Sequence, residues 1–178
     1  MSPVTPIVRP AAAVWFARLG RAQEHLPALI DRFHSLRDGP QTRLSHWFEQ
    51  RYENIYIDRR LLPEFAPVAT EVRACAESVL DRGDLKFGFW FNEMGPGEGT
   101  TRHDHHEDDE LLSAVLYLSV PEGSGELVLY DSPAVIRVTP EVGLLVMFPP
   151  HLEHEVNINT GASARLSIAF NFGPAEPD

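Results

Sequence analysis

The spacing of apolar residues divides the chain into a helical first half and a strand-rich second half. Between residues 10 and 82, apolar positions recur every three or four residues, and prolines stand where helices can begin. From residue 85 onward, short apolar and aromatic runs are separated by Gly, Pro, Asn and Asp, which is typical of strands joined by turns. The pattern predicts an α+β protein.

The elements can be placed more closely. We predict helices beginning at Pro10, Pro27 and Pro67, a short helical segment around Trp47, and a strand at 55–57. In the second half, strands are predicted at 85–91, 112–120, 126–130, 134–138, 144–148, 155–158 and 165–172. So many short strands favour a jelly roll, in which two sheets face one another around a pocket.

Length and composition limit the class of protein. With 178 residues, 43% of them hydrophobic, we expect one domain over 1–178, with helical support at 1–84 and a jelly-roll core at 85–178. A net charge of -11 argues against nucleic acid or an anionic membrane as partner. The single cysteine, Cys75, favours a reducing compartment, and residues 1–10 lack a signal-peptide pattern. We expect a cytoplasmic protein. A homodimer is an open alternative to a monomer.

Histidines are concentrated in two short segments. Five of the eight lie at 103–106 and 151–154. Because side chains alternate along a strand, His103 and His105 would point the same way, and His154 offers a third imidazole from a distant strand. These residues predict a metal site, although histidine-rich acidic loops also occur on plain protein surfaces.

A positively charged residue, Arg165, follows the histidine segments in the sequence. Arg165 and Ser167 place a guanidinium and a hydroxyl on one face of the last predicted strand. A guanidinium binds carboxylates through a rigid, two-pronged and charge-assisted fork. Metal ligands together with a fixed cation suit a metal that works with an anionic co-substrate.

These motifs carry a family resemblance. From residue 90 to 172 the chain resembles the iron- and 2-oxoglutarate-dependent oxygenases, especially their small bacterial branches. The matching stretches are Trp90-Phe91-Asn92, His103-x-His105, 112–118, 120–127, Phe148-Pro149 with His154, and 165–171. The resemblance implies a double-stranded β-helix (a cupin-like jelly roll) with N-terminal support helices. It also implies a non-haem Fe(II)- and 2-oxoglutarate-dependent dioxygenase that hydroxylates a small-molecule or carrier-bound substrate with dioxygen.

The resemblance further implies roles for single residues. In this family iron(II) has three protein ligands, and 2-oxoglutarate takes two of the remaining coordination sites. Arg165 would bind the far carboxylate of 2-oxoglutarate, with Ser167 and Tyr117 donating further hydrogen bonds. Asn92 is an additional candidate for the same pocket.

The first two ligands depart from the family's commonest pattern, His-x-Asp or His-x-Glu. Three registers are open, namely His103 with His105, His105 with Glu107, and His106 with Asp108. We favour the first, which gives an all-histidine triad with His154.

A cupin is the competing interpretation. Its two motifs resemble Gly97, His103-x-His105 and Glu110, followed by Gly143, Pro149 and His154. A cupin would bind metal through Glu110 and the three histidines, as a 2-oxoglutarate-independent dioxygenase, an isomerase or a ligand-binding protein. It has no need of Arg165 and Ser167, which favours the oxygenase. A third hypothesis is a binding module that keeps the fold without turnover.

Overall fold

The computed structural model describes residues 5–8, 13–48, 51–105 and 109–175. Within these ranges the chain forms two α-helices, α1 (Leu26–Leu36) and α2 (Phe65–Leu80). Its eleven strands are β1 (Thr5–Val8), β2 (Ala13–Arg18), β3 (Thr42–Phe48), β4 (Arg51–Ile57), β5 (Leu85–Met94), β6 (Leu112–Ser119), β7 (Leu127–Asp131), β8 (Ala134–Val138), β9 (Leu144–Phe148), β10 (Glu153–Val156) and β11 (Arg165–Pro174). Neither of these helices is long and apolar enough to cross a membrane.

The strands form two sheets. The larger sheet has eight strands in the order β1-β2-β9-β6-β11-β5-β4-β3, and the smaller has the order β10-β7-β8. Leu129 and Ile136 of the smaller sheet pack in one buried cluster with Tyr117 and Val146 of the larger sheet. The two sheets therefore face one another, which confirms the predicted double-stranded β-helix.

Alternation along the central strands separates two sides of the large sheet. On β6, Leu116 and Leu118 belong to the cluster that contains the helices, whereas Tyr117 points to the small sheet. Residues of α1 and α2 in the outer cluster include Leu29, Phe33, Val68 and Val72. The helices cover the outer side and leave the inner side for a cavity.

Two predicted helical segments are wrong. The segment after Pro10 contains β2, whose Trp15 pairs with Met147 of β9, and Trp47 lies in β3 paired with β4. The apolar spacing in a run of only six or seven residues fits both the helical repeat of 3.6 residues and the two-residue repeat of a strand. The β-branched and aromatic side chains then favour a strand where a neighbouring strand offers hydrogen bonds. The other elements of the first half, α1, α2 and the strand at 55–57, are confirmed.

All seven strands predicted after residue 85 are present, with shifted boundaries: β5 continues three residues further, to Met94, and β11 two residues further, to Pro174. β10 covers Glu153–Val156 rather than 155–158, because His154 pairs with Leu129 of β7. The shift places His154 inside a strand. The single domain and its division at residue 84 stay predictions.

A glycine permits a close approach beside the cavity. A Cβ atom at Gly125 would stand 1.7 Å from the carbonyl oxygen of Asn157. We expect Gly125→Ala to lower the free energy of unfolding by roughly 2 kcal/mol or more, since the backbone must move. Gly88→Ala is the control, because a Cβ there meets no atom within 4 Å. Urea denaturation measures both variants, and equal losses would contradict the prediction.

Candidate metal centre and active site

Three histidine side chains converge between the two sheets. His103 and His105 lie in the segment between β5 and β6, and His154 lies on β10. One ligand atom from each lies within 4.8 Å of the other two. Metal–nitrogen bonds are about 2 Å long, so a single ion can contact all three after a small adjustment.

The backbone holds this cluster together. The His103 N–H donates to the carbonyl of His154 over 3.0 Å, and the His154 N–H donates back over 2.7 Å, forming an isolated antiparallel bridge. The His105 N–H donates to the carbonyl of Pro150 over 2.9 Å. Two distant parts of the sequence are thereby fixed side by side.

Two of the imidazoles are oriented by backbone carbonyls. Nδ1 of His103 lies 2.8 Å from the carbonyl oxygen of Thr101, and Nδ1 of His154 lies 2.9 Å from that of Leu152. A carbonyl only accepts, so Nδ1 carries the proton and the lone pair is on Nε2. This orientation is typical of histidines that bind metals.

The buried imidazoles are neutral at pH 7. Burial, reinforced by neighbouring imidazoles, lowers the pKa of His154 to about 3. Burial and the adjacent His103 lower the pKa of His105 to about 4. Their lone pairs are therefore available to a cation without loss of a proton.

Of the three ligand registers, the structure describes both residues of only one, His103 with His105. His103 and His105 meet His154, whereas His106, Glu107 and Asp108 lie outside the described residues. Of the residues described, these three histidines are the group that could hold a metal ion. Glu110, the fourth ligand of a cupin, is not in this group.

Arg165 on β11 is buried without an acidic partner. It is 1% exposed, and its Nη1 donates to the carbonyl of Gly125 over 3.0 Å while Nη2 lies 3.1 Å from the sulfur of Met94. Its Nε has no hydrogen-bond partner, and no described carboxylate pairs with it. Burial lowers the pKa of Arg165. A buried guanidinium left in this state is costly, so the arrangement fits an anionic ligand.

Tyr117 adds a second unpaired donor. The Arg165 guanidinium lies 5.5 Å from the centre of the Tyr117 ring. The Tyr117 hydroxyl is buried with no partner, and burial raises its pKa to about 12, so it keeps its proton. An unpaired N–H and an unpaired O–H near one another suit the carboxylate of 2-oxoglutarate.

Ser167 and Asn92 lie on the neighbouring strands. Ser167 pairs with Asn92 of β5 on one side and with Tyr117 of β6 on the other. The Asn92 amide nitrogen donates to the carbonyl of Glu53 over 2.7 Å and to Oδ1 of Asn54 over 3.2 Å. Asn92 therefore braces β4, and both Ser167 and Asn92 line the cavity.

The cavity has a volume of about 510 Å³ and is lined by both sheets. Its wall includes four residues of β3 and β4 that sequence reasoning did not select, namely His46, Glu53, Asn54 and Tyr56. Within β4, buried Ile55 and Ile57 alternate with the cavity-lining positions. This alternation in the sequence was the signal that could have identified Asn54 and Tyr56 as cavity-lining residues. The first half supplies none of the three clustered histidines but does shape the cavity.

Comparison with known proteins agrees with this geometry. Residues 89–173 match the family model described as the 2OG-Fe(II) oxygenase superfamily. A Pseudomonas putida prolyl-4-hydroxylase structure is 22% identical with a TM-score of 0.62, covering 90% of this chain and 88% of that one. The carbocyclase SnoK from nogalamycin biosynthesis is 15% identical with a TM-score of 0.72, covering 90% and 80%. No curated protein matches significantly.

The fold and the histidine cluster define a double-stranded β-helix protein suited to metal binding. The family match identifies residues 89–173 as a member of the 2OG-Fe(II) oxygenase superfamily, as the motifs predicted. The chain is accordingly an Fe(II)- and 2-oxoglutarate-dependent dioxygenase, with dioxygen and a small molecule or peptide as substrates. The match does not support the cupin alternative.

Proposed function

We propose that the enzyme is a hydroxylase in which His103, His105 and His154 bind iron(II) and Arg165 binds the far carboxylate of 2-oxoglutarate. One observation carries the proposal: the three ligand atoms lie within 4.8 Å of one another. The neutral state of the buried imidazoles and the unpaired Nε of Arg165 support it.

The chain's own residues orient the reactants. Iron(II) held by the three histidines would supply the oxidising chemistry, in which one oxygen atom of dioxygen enters a substrate C–H bond and the other enters succinate as 2-oxoglutarate loses carbon dioxide. Arg165 supplies a charge-assisted fork, and the Tyr117 and Ser167 hydroxyls can donate to the same carboxylate. All three residues are buried, so water competes little for these hydrogen bonds.

The two ligand registers that share His105 can be separated by substitution. We expect His103→Ala to abolish iron(II) binding and Glu107→Ala to change it little, because His103 belongs to the histidine cluster and its Nε2 keeps a free lone pair. Anaerobic titration with iron(II) measures both variants. The opposite ranking would assign the ligand role to Glu107 and refute the all-histidine triad.

Spectroscopy tests the function as a whole. Iron(II) and 2-oxoglutarate, added without oxygen, are expected to give the weak visible charge-transfer band of their chelate. Bound iron without this band would refute the proposal. The band without oxygen-dependent succinate formation would indicate a binding module instead.

The setting of the enzyme is part of the same proposal. We infer a free small molecule or a carrier-bound substrate and a cytoplasmic location. The net charge of -11 and the single cysteine support an enzyme that works without nucleic acid or a membrane. The homodimer also remains a prediction, and size-exclusion chromatography of the purified protein would test it.

A further inference from the structure

The cavity extends on both sides of the histidine cluster. Along the inner side of β11, Arg165, Ala169 and Asn171 follow one another, and Ala169 pairs with Trp90 of β5. The Trp90 ring lies 5.9 Å from the His105 ring, so the histidines are level with the middle of this row. At about 3.4 Å per residue, Asn171 lies roughly 7 Å beyond Ala169, on the side away from Arg165.

Glu110 is held at this far end. The Asn171 amide nitrogen donates to Oε1 of Glu110 over 3.4 Å, and its Oδ1 accepts from the Ser113 hydroxyl over 3.0 Å. The Ser113 contact sets the orientation of the amide. The other carboxylate oxygen of Glu110, Oε2, is buried and has no partner among the described residues. A buried acceptor in this state is stabilised by a donor from a ligand.

The charges of the wall are unequal at the two ends. Its described acidic residues are Glu53, Asp104 and Glu110, whereas Arg165 is the one described lysine or arginine that lines it. Under the proposed function, 2-oxoglutarate neutralises Arg165. Glu53 lies 3.8 Å from Arg51, and Oε2 of Glu110 is the unpaired acceptor at the far end. The wall also carries the rings of Trp90 and Tyr56, whose centres are 6.1 Å apart, and the Arg43 guanidinium lies over the Tyr56 ring. Aromatic faces and carboxylates together favour organic cations.

We propose that the far half of the cavity binds a substrate with a protonated nitrogen, and that Oε2 of Glu110 accepts a hydrogen bond from this group. Asn171 positions the carboxylate, and Trp90 contacts the carbon skeleton between the nitrogen and the iron site. The reacting carbon lies a few bonds from the nitrogen, because only about two residues of strand separate the two levels. The assignment rests on the proposed function, since it takes 2-oxoglutarate to be at Arg165.

Three probes of similar size test this assignment. Phenethylammonium, 2-phenylethanol and phenylacetate share a ring and differ in the terminal group. Each is titrated anaerobically into the protein loaded with iron(II) and 2-oxoglutarate, and binding is followed by ligand NMR and by the charge-transfer band. We expect the ammonium probe to bind roughly tenfold more tightly than the other two, the effect of one hydrogen bond to a charged group.

Substitutions at Glu110 give the decisive comparison. Glu110→Gln keeps the shape and is expected to remove the preference for the ammonium probe, while Glu110→Asp restores part of it. Glu141→Gln is the control, because Glu141 pairs with Arg18 at the exposed surface. Iron(II) and the charge-transfer band should persist in all three variants.

Several results would overturn the assignment. These are equal binding of the three probes, no detectable ammonium binding to the wild-type complex, or an unchanged preference in Glu110→Gln. Loss of iron in Glu110→Gln would instead make Glu110 a metal ligand. Failure of the proposed function is distinguishable, because the charge-transfer band would be absent before any probe is added.

Discussion

Iron(II) binding is expected to be lost when His154 is replaced by alanine. The side chain is 6% exposed, and its Nδ1–H donates to the carbonyl of Leu152, so that Nε2 keeps the free lone pair. His151, three residues earlier, is exposed and is not part of the cluster. We expect affinity to fall by more than about 100-fold, the upper end of the loss seen when only the groups that orient a ligand are changed.

Anaerobic competition against a chelator measures this loss. His34→Ala on helix α1 is the matched control, since its imidazole is half exposed and lies outside the cluster. Circular dichroism establishes that both variants are folded. Unchanged iron affinity in His154→Ala would refute the metal site.

Replacing Arg165 by alanine is expected to weaken 2-oxoglutarate binding by about 2–5 kcal/mol, the cost of removing one partner of a buried charge pair. The guanidinium is almost wholly buried, and its Nε is unpaired in the described structure. Iron(II) affinity should stay unchanged, because Arg165 is not one of the clustered ligands. Titration of 2-oxoglutarate into the iron-loaded protein, followed at the charge-transfer band, measures the effect.

Two further variants separate charge from geometry. Arg165→Lys keeps a positive charge but loses the two-pronged fork, so its affinity for 2-oxoglutarate should lie between those of wild type and Arg165→Ala. Arg73→Ala on α2, which removes a surface ion pair with Glu77, should change nothing. Wild-type affinity in Arg165→Ala would place the far carboxylate elsewhere.

The strands after residue 85 could be predicted because turn residues mark their ends and apolar side chains fill their interiors. The segments Ala13–Arg18 and Thr42–Phe48 could not, since both are short and their apolar spacing fits a helix equally well. Their partners, β9 and β4, decide the outcome. A local pattern contains no information about which edge of a sheet is free.

Because local patterns do not show how distant strands pair, only some residues of the candidate site could be predicted from the sequence. His103 and His105 were visible because a spacing of two residues puts both on one side of a strand. Glu110 beside Asn171 was not, because their contact depends on how β6 and β11 are registered over 61 residues of sequence. The choice between His103 and Glu107 as the partner of His105 still needs the substitutions proposed above.

The backbone bridge between His103 and His154 holds the proposed metal-binding histidines together whether or not a metal ion is bound. The two reciprocal N–H to carbonyl bonds join loop and strand without any side chain, so removal of the ion leaves the imidazoles assembled. Rebinding of the ion then costs little conformational entropy, because the chain segments that carry the histidines are already ordered. The enzyme should therefore be easy to strip with a chelator and reload, and an ion that is stable in air, such as Mn²⁺ or Zn²⁺, could be exchanged into it for crystallography.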